Sequence, residues 1–197
     1  MIKDAKKSFA MLSGIFTLSL LLVYPSWAAT YEIDKAHSSM GFAVKHLMVS
    51  TVRGGFTDFA GSVMFDPNDL GSFNAEATIQ ADSVNTQQAE RDKHLKSADF
   101  FDTATYPTIT FKSSKLEKTE SGYNLMGDLT IRGTTKAVSI PITISGPVKG
   151  PGGDVIGMEG SLEINRQDYG VSWNKVIDNG VIVSDTVKID VDIEAHK

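Results

Sequence analysis

The sequence predicts an all-β domain: an eight-stranded antiparallel barrel interrupted by one short helix at about residues 87–97. Three observations carry that prediction. Apolar residues recur at every second position from Thr30 onward, turn-forming clusters punctuate those rows, and a single segment, 89–107, breaks the alternation with charges ordered as in a helix.

The N-terminus is a separate unit. Lys3, Lys6 and Lys7 precede a mostly apolar run from Phe9 to Tyr24, Pro25 ends it, and Ser26 and Ala28 supply small residues before a cleavage site. Residues 1–28 thus read as a secretory signal peptide cut after Ala28, leaving 29–197 as one domain in the periplasm. The alternative is a signal anchor, but Ser13, Gly14, Thr17 and Ser19 dilute a run already short for a membrane span.

The first rows are brief: Tyr31 and Ile33, then Met40, Phe42 and Val44, then Phe59, Val63 and Phe65. Phe73, Ala75, Ala77, Ile79 and Ala81 follow, then Ile109 and Phe111, then Tyr123, Leu125, Gly127, Leu129 and Ile131. Val138, Ile140, Ile142 and Ile144 make the next row, and Ile156, Met158, Leu162 and Ile164 another. The last is the longest, from Val181 to Ile193, with Asp185 interrupting its apolar face. Turn signals between rows include Asp66-Pro67-Asn68-Asp69, Glu120-Ser121-Gly122, Arg132-Gly133 and Gly150-Pro151-Gly152-Gly153. Sheets with one apolar face either pack on another sheet or close on themselves, and closure removes exposed edges; a barrel is favoured over a sandwich on that ground.

An eight-stranded barrel is filled by its own side chains or holds one small ligand. Strands of about ten residues at roughly 3.3 Å each give a bore on the order of 30 Å long. The inner face mixes rings with small residues such as Ala75, Ala77, Gly127 and Gly160, so both a deep apolar bore and a solid core fit. For a bore, alternation nominates Phe42, Val44, Phe56, Phe65, Ile79, Phe111, Leu125, Leu129, Ile142 and Leu162 as wall, with His37, Arg91 or Lys93 at a mouth to meet a polar head.

In the helical segment Asn85 or Thr86 is placed to cap, and Gln87 to Glu90 form the first turn. Acid early and Lys93 and Lys96 late complement the helix dipole. Asp92 with Lys96, and Glu90 with Lys93, have the spacing of surface ion pairs.

Composition excludes several functions. The chain carries 24 acidic and 19 basic residues and no cysteine. An acidic balance without a basic run argues against nucleic acid or an anionic membrane as the main partner. Without cysteine there is no disulfide, thiolate nucleophile, iron–sulfur cluster or cysteine-bound zinc. The histidines at 37, 46, 94 and 196 lack His-Glu-x-x-His and His-x-His spacing, so no metal ligands are assigned. Glu90 and His94 share a helix face and offer a carboxylate beside a base, but no Gly-x-Ser-x-Gly elbow supplies a nucleophile. No catalytic residue is assigned.

The block AERDKHLKSADFFDTATYP, followed by Ile109-Thr110-Phe111 and by Gly127-Asp128-Leu129-Thr130-Ile131-Arg132-Gly133-Thr134-Thr135-Lys136, closely resembles the YceI-like family of exported polyisoprenoid-binding proteins. The opening YEIDKAHSSMGFAVKHLMVSTVRGGFTDFAGSVMFDP and the closing RQDYGVSWN and VSDTVKIDVDIEA look like the family's two ends. The resemblance implies a lipocalin-like extended barrel whose pore holds an isoprenyl pyrophosphate, isoprenoid quinone or fatty amide, with no catalytic residues and no required cofactor.

The leading expectation is therefore a soluble carrier of a long amphiphilic lipid, monomer or homodimer, without stable membrane insertion, serving transport, storage or stress protection. The alternatives are an enzyme acting on an isoprenyl phosphate through Glu90, His94 or Asp99, and a stress-related structural protein with a filled barrel.

Overall fold

The computed structural model describes residues 28–177 and 180–197; the expected signal peptide lies outside them except for Ala28. Strands β1 (Ala29–Ile33) and β2 (Ser39–His46) follow one line, β3 (Ser50–Phe56) and β4 (Phe59–Phe65) the next, and β5 (Asn74–Gln80) and β6 (Val84–Asn85) a third. Helix α1 (Ala89–Lys96) precedes β7 (Thr108–Lys118), β8 (Tyr123–Ile131), β9 (Thr134–Gly150) and β10 (Gly153–Asn165). A small hairpin of β11 (Val176–Ile177) and β12 (Gly180–Val181) leads into β13 (Val183–His196).

Each line pairs antiparallel with the next, and β13 closes the ring. One edge of β13 runs along β10 from Asn165↔Thr186 to Val155↔His196, while the other pairs with β2 and then with β1 through Ile33↔Ala195. This eight-stranded closed barrel excludes the sandwich.

The period-two rows meet in register, so apolar faces stack around the ring: Val63 opposes Ala75, Ala77 opposes Phe111, and Phe111 opposes Leu129. Between Ser113 and Lys115 the pairing of β7 with β8 shifts by one residue. That bulge resets the alternation, so both Ser113 and Leu116 are buried despite unequal parity. The Ser113 hydroxyl is satisfied by the Ala75 N–H at 2.7 Å.

The barrel's two ends differ. Where the β4–β5, β7–β8 and β9–β10 turns lie, Tyr31, Val63, Phe65, Leu116, Ile156 and Ala195 form a tight apolar plug. At the other end, α1 and the segments 97–107 and 166–176 cover the opening and bring Phe100, Tyr169 and Val171 onto Ile109, Leu129 and Ile131.

The β8–β9 turn fastens that cover. Arg132 donates from Nη2 to the Ala98 carbonyl at 2.8 Å and from Nη1 to the Gly170 carbonyl. Beside it Gly133 has φ +70°, and a Cβ there would stand 2.7 Å from the Tyr106 ring. Left-handed backbone strain alone disfavours a side chain by about 1–2 kcal/mol. Gly133→Ala is expected to destabilise the fold by at least that amount, read as a lower urea midpoint at unchanged m.

Candidate functional site

Inside the barrel lies an almost wholly apolar cavity of about 390 Å³. Nine of the ten wall residues nominated by alternation line it: Phe42, Val44, Phe56, Ile79, Phe111, Leu125, Leu129, Ile142 and Leu162. Phe65 is not on that wall. It points inward but sits too near the turn end, where it packs edge-on against Phe73 with centroids 6.3 Å apart.

The small inner-face residues divide. Ala75 and Ala77 border the cavity. Gly127 and Gly160 instead accommodate neighbours: a Cβ at Gly127 would meet the Phe111 ring at 2.5 Å, and one at Gly160 would meet Ile142 at 2.7 Å. These glycines seat wall side chains and add no space to the bore.

At the helix end, Gln88 caps α1 by accepting from the Arg91 N–H, in place of Asn85 or Thr86. The physical reason is a local knot. Gln87 takes φ +62°, and Thr86 is held by Asp92, which accepts from its hydroxyl at 2.5 Å and its N–H at 2.8 Å. Arg91 completes the knot through Nε to Thr86 Oγ1 at 2.7 Å and Nη2 to the Thr86 carbonyl at 2.9 Å. Asp92 thus turns inward to Thr86, and neither expected helix ion pair is among the ion pairs of the described residues.

Of the three head-group candidates, the structure brings Arg91 alone to the cavity. Lys93 lies in a shallow outer depression with Lys96, Asp82 and Asn85. His37 is on the outer wall between β1 and β2, its Nδ1 2.7 Å from Asp34. That contact holds the Asp34 carboxyl below its ordinary value and the His37 imidazolium above its own, with the Glu194 charge adding to the latter. The pair is fully formed between the two. It is lost as pH falls through the lowered Asp34 value or rises through the raised His37 value. In an NMR titration His37 is expected to titrate above the ordinary histidine value, and Asp34→Asn to lower it.

Several cavity residues were not nominated: Leu95, Phe100, Phe101, Tyr169, Val171 and Trp173. All come from α1 and the two covering segments, where no alternation marks an inner face. Their one sequence signal is the clustering of aromatic residues in ADFF and DYGVSW. Phe42, Phe56 and Phe101 make successive ring contacts at 5.9 and 5.7 Å, and His94, Phe100 and Trp173 make a triangle with sides of 5.0, 5.1 and 5.3 Å. His94 Nε2 pairs with Asp99 at 2.8 Å, so its carboxylate partner is Asp99 and not Glu90.

Arg166 ties the second cover to the barrel. Only 5% exposed, it reaches the carbonyls of Ser184, Val171, Trp173 and Val183 and the Asp185 carboxylate, at 2.6 to 3.4 Å. Asp185 interrupts the last apolar row because it answers this arginine. Burial lowers the Arg166 pKa, and Asp185 opposes the shift.

A closed antiparallel barrel enclosing an apolar cavity places the chain among the β-barrels with an interior large enough to stay partly unfilled. The YceI-like domain profile matches residues 31–195, and the chain belongs to that family. A UPF0312 protein of Staphylococcus aureus is 40% identical over 167 residues, covering 83% of this chain and 95% of its own. Among solved structures, Burkholderia cenocepacia BcnA superposes with TM-score 0.74 at 29% identity, covering 83% of this chain and 99% of BcnA. A Campylobacter jejuni YceI protein gives TM-score 0.67 at 35% identity over 83% and 95% of the two chains. A polyisoprenoid-binding domain from Saccharophagus degradans shares the fold, with TM-score 0.61 at 17% identity over 87% and 99%.

Proposed function

We propose that the protein is an exported, non-catalytic carrier that holds the chain of a long isoprenoid, or a similar amphiphilic lipid, inside its barrel. The observation that carries this reading is the 390 Å³ apolar cavity walled by alternating residues of the barrel strands. Apolar burial at about 25 cal/mol per Å² supplies the affinity, and the chain's likeness in fold to a polyisoprenoid-binding domain is in keeping with the ligand class.

The polar head, of pyrophosphate or quinone type, lies at the helix end. Arg91 borders the cavity there, and its Nη1 has no hydrogen-bond partner among the described residues. The carrier needs no cofactor, works in the periplasm as monomer or homodimer, and engages lipid without spanning a membrane; no helix among the described residues is long and apolar enough to cross one.

Solvent extraction of protein purified from its own envelope, followed by mass spectrometry, tests the proposal. One prenyl-type lipid per barrel is expected, and repeated absence of any stoichiometric lipid overturns it. The His94–Asp99 pair favours a second reading, turnover of an isoprenyl phosphate. Loss of turnover in both His94→Ala and Asp99→Asn would establish it, and absence of turnover in the parent protein ends it.

A further inference from the structure

The outer wall carries a group of ligating side chains that spacing along the chain does not reveal. Between β1 and β2 the strand line is broken at Asp34–Ser38. Ser38 makes the break: its hydroxyl donates to the Glu194 carbonyl at 3.2 Å and accepts from the Glu194 N–H at 3.0 Å, across 156 residues of sequence. Asp34 N–H also donates to the Glu194 carbonyl, at 2.8 Å, so the bulging turn is pinned to β13 at both ends.

Ile193 and Ala195 of β13 are buried in the core, so by strand alternation Glu194 and His196 face outward, under the turn that carries Asp34 and His37. His196 is held in place by ladder pairing to both Glu32 and Val155.

We propose that Asp34, His37, Glu194 and His196 form a binding site for a late first-row divalent metal ion such as zinc, outside the barrel and separate from its cavity. The four donor atoms form a ring. His37 Nδ1 stands 2.7 Å from Asp34 Oδ2, which stands 3.5 Å from His196 Nε2; that nitrogen is 2.9 Å from Glu194 Oε1, which is 3.7 Å from His37 Nδ1. Metal–ligand bonds of about 2.0–2.2 Å in a tetrahedron place neighbouring ligand atoms about 3.4 Å apart. The four edges straddle that value, and the donors of Asp34, His37 and Glu194 all lie within 4.8 Å of one another. These three can close on one ion, with His196, beside Asp34 and Glu194, moving in as the fourth ligand.

Two imidazoles with two carboxylates suit zinc, nickel or copper, whereas calcium and magnesium call for an all-oxygen shell. Asp34 is further oriented by the Ala36 N–H, which donates to its other oxygen at 2.8 Å. Without metal the same side chains form a network of close polar contacts.

The test is calorimetric titration of zinc into the mature protein freed of any affinity tag. One-to-one binding is expected. His37→Ala and His196→Ala should each weaken it by at least roughly 10–100-fold, the loss seen when only a group orienting a ligand is removed, and the isosteric Glu194→Gln, which leaves the Ser38 contacts intact, should weaken it as well. His94→Ala should leave it unchanged, and circular dichroism verifies that each variant is folded. Absence of saturable binding overturns the proposal, as does equal affinity in the parent protein, His37→Ala and His196→Ala. Lipid occupancy of the cavity has no bearing on either outcome.

Discussion

Arg166→Ala is expected to destabilise the protein by about 2–5 kcal/mol, mainly through backbone carbonyls that lose their donor at roughly 1–3 kcal/mol each, because the Asp185 carboxylate left behind is nearly half exposed. Arginine offers five N–H donors, and here they reach four backbone carbonyls and one carboxylate. Alanine removes the side-chain donor from the Ser184, Val171 and Trp173 carbonyls, while the Val183 carbonyl keeps the Asn174 amide at 2.7 Å. Lysine keeps the charge but has three donors on a single nitrogen, so Arg166→Lys should recover only part of the loss. Urea denaturation measures both. A change under about 1 kcal/mol would mean that the carbonyls find other partners and that the clasp is not structural. Because Arg166 anchors the segment that brings Tyr169, Val171 and Trp173 over the cavity, the alanine variant should also release bound ligand faster.

The second large effect concerns binding. Ala77 borders the cavity and pairs with Phe111 across the strand boundary. Ala77→Phe directs a ring into the space proposed for the ligand chain. Affinity for a long-chain prenol, followed by displacement of an apolar fluorescent probe, is expected to fall at least tenfold, about 1.4 kcal/mol. Part of the new ring fills empty volume, so stability should change by no more than the about 1–3 kcal/mol typical of overpacking. Unchanged prenol affinity in a folded Ala77→Phe protein would remove the cavity as the binding site.

The barrel is legible because a period-two pattern states which face of a strand is buried, and the apolar row from Tyr123 to Ile131 falls on β8 (Tyr123–Ile131). Parity does not state depth. Phe42 and Phe65 are equally inward, yet one borders the cavity and the other lies in the plug, since position along the barrel axis depends on register with distant strands. Helical phase could have sorted one pair: Arg91 and Lys93, two residues apart, point about 200° from one another, so only one can face the mouth.

Other features had no local signal. The break that carries His37 exists because Ser38 meets Glu194, a contact distant in sequence. Asp185 was visible as an interruption, but its partner Arg166 is found only once the chain is folded. The glycines misled for the opposite reason. A missing side chain reads as space in a sequence, whereas in the barrel Phe111 and Ile142 occupy it.

Closure by β13 has a kinetic consequence. Its ladder to β1 and β2 joins residues about as far apart as this domain allows, with Ser38 meeting Glu194 across 156 positions. Such pairing is slow, because the entropy of a very long loop is lost before the contact returns anything. Until β13 docks, β1 and β2 present an unpaired edge and the apolar bore is open along its length. During that interval the chain exposes apolar surface and an open strand edge that the closed barrel hides, which makes it the stage most exposed to aggregation.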